Sequence, residues 1–206
     1  MIGNATSFLL RWGYSFDREG TVNTTAARER IIRVILLFFM LALAASGLSA
    51  VPLRWEVGLL DRWFGTATFM QQAWPSLAGW IAHVNEGVQN GYGQYPFLAY
   101  GTDWLAFGHV AIALCFIGAL RDPYKNIWVV EFGMMACALV IPWALVFGWL
   151  RGIPLFWRLV DMCFGVVGMV PLWYARRLIL MGAHAQKSTR FTLTFQTLSY
   201  RATDGD

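Results

Sequence analysis

Residues 34–53 carry no charged side chain. A helix rises about 1.5 Å per residue, so this run covers roughly 30 Å, the thickness of a bilayer's hydrocarbon core. It begins far from residue 1 and exceeds the apolar region of a signal peptide, which is about 7–15 residues. It therefore reads as a retained transmembrane helix. Three more stretches are long enough to span. Residues 101–120 hold Asp103 near their start and His109 within. Residues 127–150 hold one ionisable group besides Cys137, Glu131. Residues 154–178 hold Arg158 and Asp161 in their first half. Only 14% of the chain is charged, against about a quarter in soluble domains, which favours lipid as solvent. The expected fold is all-α and polytopic, one bundle over 34–180. An interfacial segment (1–33) precedes it and a tail (181–206) follows.

Charge sets the expected orientation. Arg11, Arg18, Arg28, Arg30 and Arg33 precede the first span. Arg121 and Lys125 lie between the second and third. Arg176, Arg177, Lys187, Arg190 and Arg201 fall at or beyond the end of the fourth. These are twelve of the sixteen basic residues. Cytoplasmic loops carry the excess of Lys and Arg, so both termini are expected in the cytoplasm, as in a cell inner-membrane protein. The net charge of +4 matches an anionic inner leaflet and calls for no nucleic acid. Ten of the eleven tryptophans sit near predicted interfaces, with Trp143 inside a span. That is the distribution of an aromatic belt.

Outside the spans, residues 54–100 form a Trp-rich external loop with short helices expected over 56–64 and 75–88. Pro75 suits a first-turn position. The run Asn90, Gly91, Tyr92, Gly93, Gln94, Tyr95, Pro96 supplies turn chemistry before the second span. Phe8, Leu9, Leu10 and Trp12 beside Arg11 suggest an interfacial anchor, and Asn23, Thr24 and Thr25 are candidate caps for the helix that enters span one. In the tail, Phe191, Leu193 and Phe195 alternate with Thr192 and Thr194. Period two predicts a short strand. Such a strand pairs locally or with a second protein or second copy, unless the tail is disordered. Ala42, Ser46 and Ala50 on span one, and Gly165 and Gly168 on span four, are small residues at helix-packing spacing. Cys115, Cys137 and Cys163 are not spaced as zinc ligands and read as packing residues.

Ionisable groups within a bilayer are costly and tend to mark function. By helical rise, Arg158 lies about 6 Å, Asp161 about 10 Å and His109 about 12 Å below the outer surface. With Asp103, and with His83 and Glu86 from the loop above, they form a candidate outward-facing polar pocket. Arg158 and Asp161, three apart, are expected to pair. His83, Glu86 and His109 are the candidate ligands for a divalent metal, and His83 with His109 for a haem. His109 with Asp161 could do acid–base work on a lipid substrate. On the inner side, Glu131 lies about 6–7 Å into span three by helical rise, level with Arg176, Arg177, Arg121 and Arg33, and is expected to form a salt bridge there, with Arg176 and Arg177 the leading candidates.

Three function classes fit these readings. The first is a small lipid- or quinone-binding protein, or an accessory subunit of a membrane complex, and it is preferred. The second is a membrane enzyme using the His/Asp/Glu cluster. The third is an oligomeric channel or transporter, disfavoured because span one has no ionisable group and the chain no internal repeat. No motif names a reaction.

Overall fold

A computed structural model describes the backbone of residues 3–203 and the side chains of residues 25–185. The helices are α1 (Gly3–Ser49), α2 (Leu53–Phe64), α3 (Met70–Ala73), α4 (Pro75–Gln94), α5 (Ala99–Arg121), α6 (Ile127–Leu150) and α7 (Leu155–Thr203), with a 3₁₀ turn over Pro96–Leu98. Four stretches are long and apolar enough to cross a membrane: Thr25–Ser49, Pro96–Arg121, Ile127–Leu150 and Leu155–Ala185. The described residues contain no strand.

Several expected boundaries move. The first apolar run ends at Ser49 rather than at residue 53. The Ala50 and Val51 amides close tight turns on the Gly47 and Leu48 carbonyls, at 3.1 and 3.2 Å. Pro52 then has no N–H to offer and α2 begins behind it. At the other end α1 starts at Gly3, so Asn23, Thr24 and Thr25 lie inside the helix instead of capping it. The backbone over 191–203 is helical and continues α7, which corrects the strand reading. An isolated strand would leave its amides and carbonyls unpaired, whereas a helix continuing from α7 satisfies them internally. The side chains of that segment, and of the expected Phe8–Trp12 anchor, lie outside the described ones.

The loop over 54–100 is a helical cap. Trp74 and Tyr95 each precede a proline and adopt nearly the same extended geometry (φ −149°, ψ 79° and φ −133°, ψ 75°). A proline ring disfavours the helical region for its predecessor, and here each pair makes a corner. The glycines and asparagine at 90–94 are accordingly helical, and the turn comes later than expected. α4 packs on α2 and α3. Val57, Ala78 and Ile81 are buried there. Asn85 donates to Asp61 Oδ2 at 3.0 Å, and Gln89 donates to the Arg54 carbonyl at 2.8 Å.

The main core lies at the opposite end of the bundle, beside the α5–α6 connection. Ile32 and Leu36 of α1, Phe116 and Ala119 of α5, Val129, Val130 and Cys137 of α6, and Leu172, Ala175 and Ile179 of α7 meet there. The Phe39 and Phe116 rings meet at a tilt of 46° with centroids 5.0 Å apart. The α5–α6 turn is held by Asn126, whose side-chain amide donates to the carbonyls of Gly118 and Asp122, both at 3.0 Å. The Lys125 amide donates to Asp122 Oδ1 at 3.1 Å and holds that carboxyl below its ordinary pKa. Between α6 and α7, Gly152 takes φ 70°. Its amide reaches the Trp149 carbonyl at 3.1 Å, and the Ile153 amide reaches Gly148 at 2.8 Å. This is the Schellman arrangement, which needs a residue comfortable in the left-handed region.

One face of α7 forms a seam at Arg158, Asp161, Gly165, Gly168, Leu172, Ala175, Ile179 and Gly182. The steps alternate three and four, the spacing of coiled-coil contact positions. Glycine lets the backbones close up along it. A Cβ at Gly165 would meet the Cys137 carbonyl oxygen at 2.5 Å, and one at Gly168 would meet Cys137 Sγ at 2.9 Å. On α1, Ala42 and Ser46 are exposed. The close approach falls instead on Gly47, against the side chain of His109.

Candidate functional site

The six residues expected to share an outward pocket lie on three helices, α4, α5 and α7. His83 and Glu86 are exposed on α4 in the cap, where the His83 ring lies 5.8 Å from that of Trp80. Asp103 is exposed on the first turns of α5. His109, six residues further, is half-buried against Gly47 of α1. Its Nδ1 lies 2.9 Å from the Leu105 carbonyl. A carbonyl only accepts, so Nδ1 carries the hydrogen that is donated. Among the described residues no three His, Cys, Asp or Glu side chains gather as a metal ion would require. The expected ligand set of His83, Glu86 and His109 therefore does not converge. Helical rise placed these groups at similar depths but could not say which neighbour each helix would face.

Arg158 and Asp161 do lie together on the α7 seam, yet among the described residues they form no ion pair. The Arg158 stem lies in the notch left by Gly148. Its Nη1 donates to the Leu145 carbonyl of α6 at 3.4 Å, while its Nε is buried with no partner. The guanidinium is thus drawn toward the α6 backbone. Asp161, one turn further along, lines a groove of about 420 Å³ with Ala136, Leu139, Val140, Trp143 and Ala144 of α6. The groove exists because the α6 residues there include two alanines, while the seam position opposite holds a short carboxylate. One turn further on, Gly165 closes the helices against Cys137. The result is a carboxyl at one edge of an otherwise apolar, open-sided furrow. Trp143 continues into an aromatic pair with Phe147, with centroids 4.4 Å apart.

At the basic end, Glu131 and Arg176 pair at 2.8 Å, with 41% and 37% of their side-chain surfaces exposed. Arg177 instead sits over the Trp173 ring, 4.8 Å from its centroid. Tyr124 was not singled out by sequence. Its hydroxyl is buried without a partner, close to where a Cβ at Gly182 would stand. Burial, with Glu29 nearby, raises its pKa. Trp143 and the two alanines were likewise invisible as a site in one dimension. The 3–4 spacing of the α7 seam was the available signal, since it would have placed Asp161 against α6.

Comparison with protein-family models, curated proteins and solved structures found no match to this chain.

Proposed function

We propose that this chain is a multi-pass membrane protein that binds a lipid- or quinone-type amphiphile in the α6–α7 groove, as a binding or accessory protein rather than an enzyme. One observation carries the reading: Asp161 presents an unpaired carboxyl to an apolar furrow of about 420 Å³. Small-molecule sites of this kind are mostly apolar with a few polar groups that fix orientation. The ligand's polar end hydrogen-bonds the carboxyl, and its chain lies along Leu139, Val140 and Trp143. The dispersal of His83, Glu86, Asp103 and His109 favours binding over metal-assisted catalysis. The clustering of basic residues supports an inner-membrane location with both termini in the cytoplasm. Accessory work within a larger complex fits the exposed apolar surface of α5, α6 and α7.

The test is to purify the full chain in mild detergent and identify retained amphiphiles by native mass spectrometry. Wild type should carry one. Asp161→Leu should lose it through the polar contact and Ala144→Trp by filling the furrow, while Asp103→Leu should keep it. Equal retention in the filled variant would overturn the proposal.

A further inference from the structure

A second furrow, on the opposite end of the bundle, has a different chemistry. Glu29, Arg30, Arg33, Val34 and Leu37 of α1 line it together with Leu120 of α5, and its volume is about 360 Å³. With Ala26 ahead of them, the α1 members are spaced 3, 1, 3, 1 and 3, so they form a single stripe along that helix. The stripe changes character between Arg33 and Val34. Toward the chain's basic end it holds Arg30 and Arg33 beside Glu29, a net positive charge. Toward the interior of the apolar run it is aliphatic, and exposed Leu41 extends it by another turn. Arg30 to Leu37 covers about 10 Å of helix axis. Glu29 engages Arg33 loosely, at 3.7 Å with 53% of the arginine side chain exposed. Among the described residues Arg30 has no carboxylate partner.

We infer that this furrow holds an anionic phospholipid, its phosphate on Arg30 and Arg33 and one acyl chain on Val34, Leu37 and Leu120. The occupant follows from the order of groups. A soluble anion would use the arginines but have no use for the aliphatic floor. A peptide helix would meet two charges where its apolar anchors belong. A phospholipid has a negative group at the level of the headgroups and a chain running inward, which is the sequence of polarities along this stripe. The positive charge and N–H donors of the two arginines complement a phosphate's oxygens, and a lysine's point charge can serve the same end. The site rests on the membrane reading above but not on the Asp161 groove.

The experiment places the full chain in nanodiscs of phosphatidylcholine mixed with phosphatidylglycerol, then counts phosphatidylglycerol carried into the gas phase by native mass spectrometry. The double variant Arg30→Gln, Arg33→Gln should weaken retention about thirtyfold, on the scale of basic residues at anionic membrane surfaces. The double variant Arg30→Lys, Arg33→Lys should retain the lipid, which shows that the site tolerates substitution. Asp103→Leu, at an exposed carboxylate that lines neither furrow, should also retain it. Unchanged retention in the glutamine variant would overturn the inference, as would loss in the lysine variant. So would an equal loss in Arg54→Gln, Arg62→Gln at the capped end, since binding would then follow net charge. Displacement by inorganic phosphate would identify a soluble-anion site and overturn it too. Failure of the chain to enter nanodiscs would sink the membrane reading itself.

Discussion

Replacing Gly165 by alanine probes the closest contact between α6 and α7. The new Cβ would stand 2.5 Å from the Cys137 carbonyl oxygen, 3.2 Å from Val140 Cβ and 3.5 Å from the Cys137 carbonyl carbon. Ordinary C···O contacts lie at about 3.3–3.6 Å. The obstacle is helix backbone, which cannot swing aside, so the two helices must part by about 1 Å. Overpacking of this kind costs about 1–3 kcal/mol. Against it stands the gain of about 0.8–1 kcal/mol from replacing glycine in a helix. Gly108→Ala on α5 isolates that gain, because nothing lies within 4 Å of the Cβ it would add. Gly168→Ala falls between the two. Its contacts are the Cys137 sulfur at 2.9 Å and the edge of Phe39 at 3.4 Å, both side-chain atoms that can give. The expected order of stability is Gly108→Ala, then Gly168→Ala, then Gly165→Ala, with about 1–3 kcal/mol between the extremes. Unfolding in mixed micelles of rising dodecyl sulfate content, followed by far-ultraviolet ellipticity, measures it. If Gly165→Ala is as stable as Gly108→Ala, the seam is not closed at that position. The packing that frames the Asp161 groove would then be wrong.

Gly152→Ala should cost about 1–2 kcal/mol in the same assay, because the left-handed geometry at φ 70° penalises a Cβ. Asn126→Ala removes the donor to the Gly118 and Asp122 carbonyls and should cost about 1–2 kcal/mol. Glu131→Ala should cost only about 1 kcal/mol, since the pair with Arg176 is more than a third exposed, and the exchange Glu131→Arg, Arg176→Glu should recover part of it. Asp122 has a lowered pKa because the Lys125 amide bonds its ionised form. Its stabilisation of the turn is full above the unfolded carboxylate value of about 3.9. It is lost as pH falls through the lower folded value. The protection factor of the Lys125 amide hydrogen, its exchange corrected for the intrinsic pH dependence, should fall across that window and stay flat in Asp122→Ala.

Much of the architecture was legible in one dimension. Long apolar runs locate the helices because lipid-facing and core-facing residues are both apolar, so length and composition suffice. Pro75 announced the start of α4. The misreadings share a cause. Alternation of Phe and Thr over 191–195 resembles a strand only if a partner exists, and continuation of α7 needs none. The glycines at 90–94 resemble a turn, but the proline at 96 decides where the corner falls.

The amino-acid order by itself determined that the chain is helical and carries four segments able to cross a bilayer, because backbone groups in an apolar medium must bond within their own segment. It also determined which residues are charged and at what depth along each helix they stand. It could not determine partners. Depth is a local quantity, set by rise per residue, but the rotation of each helix about its axis is set by packing against the others. Gly47 drew α1 onto His109, Gly148 drew Arg158 away from Asp161, and the alanines of α6 left a space in front of the carboxyl. Those are choices among neighbours, and only the tertiary structure makes them.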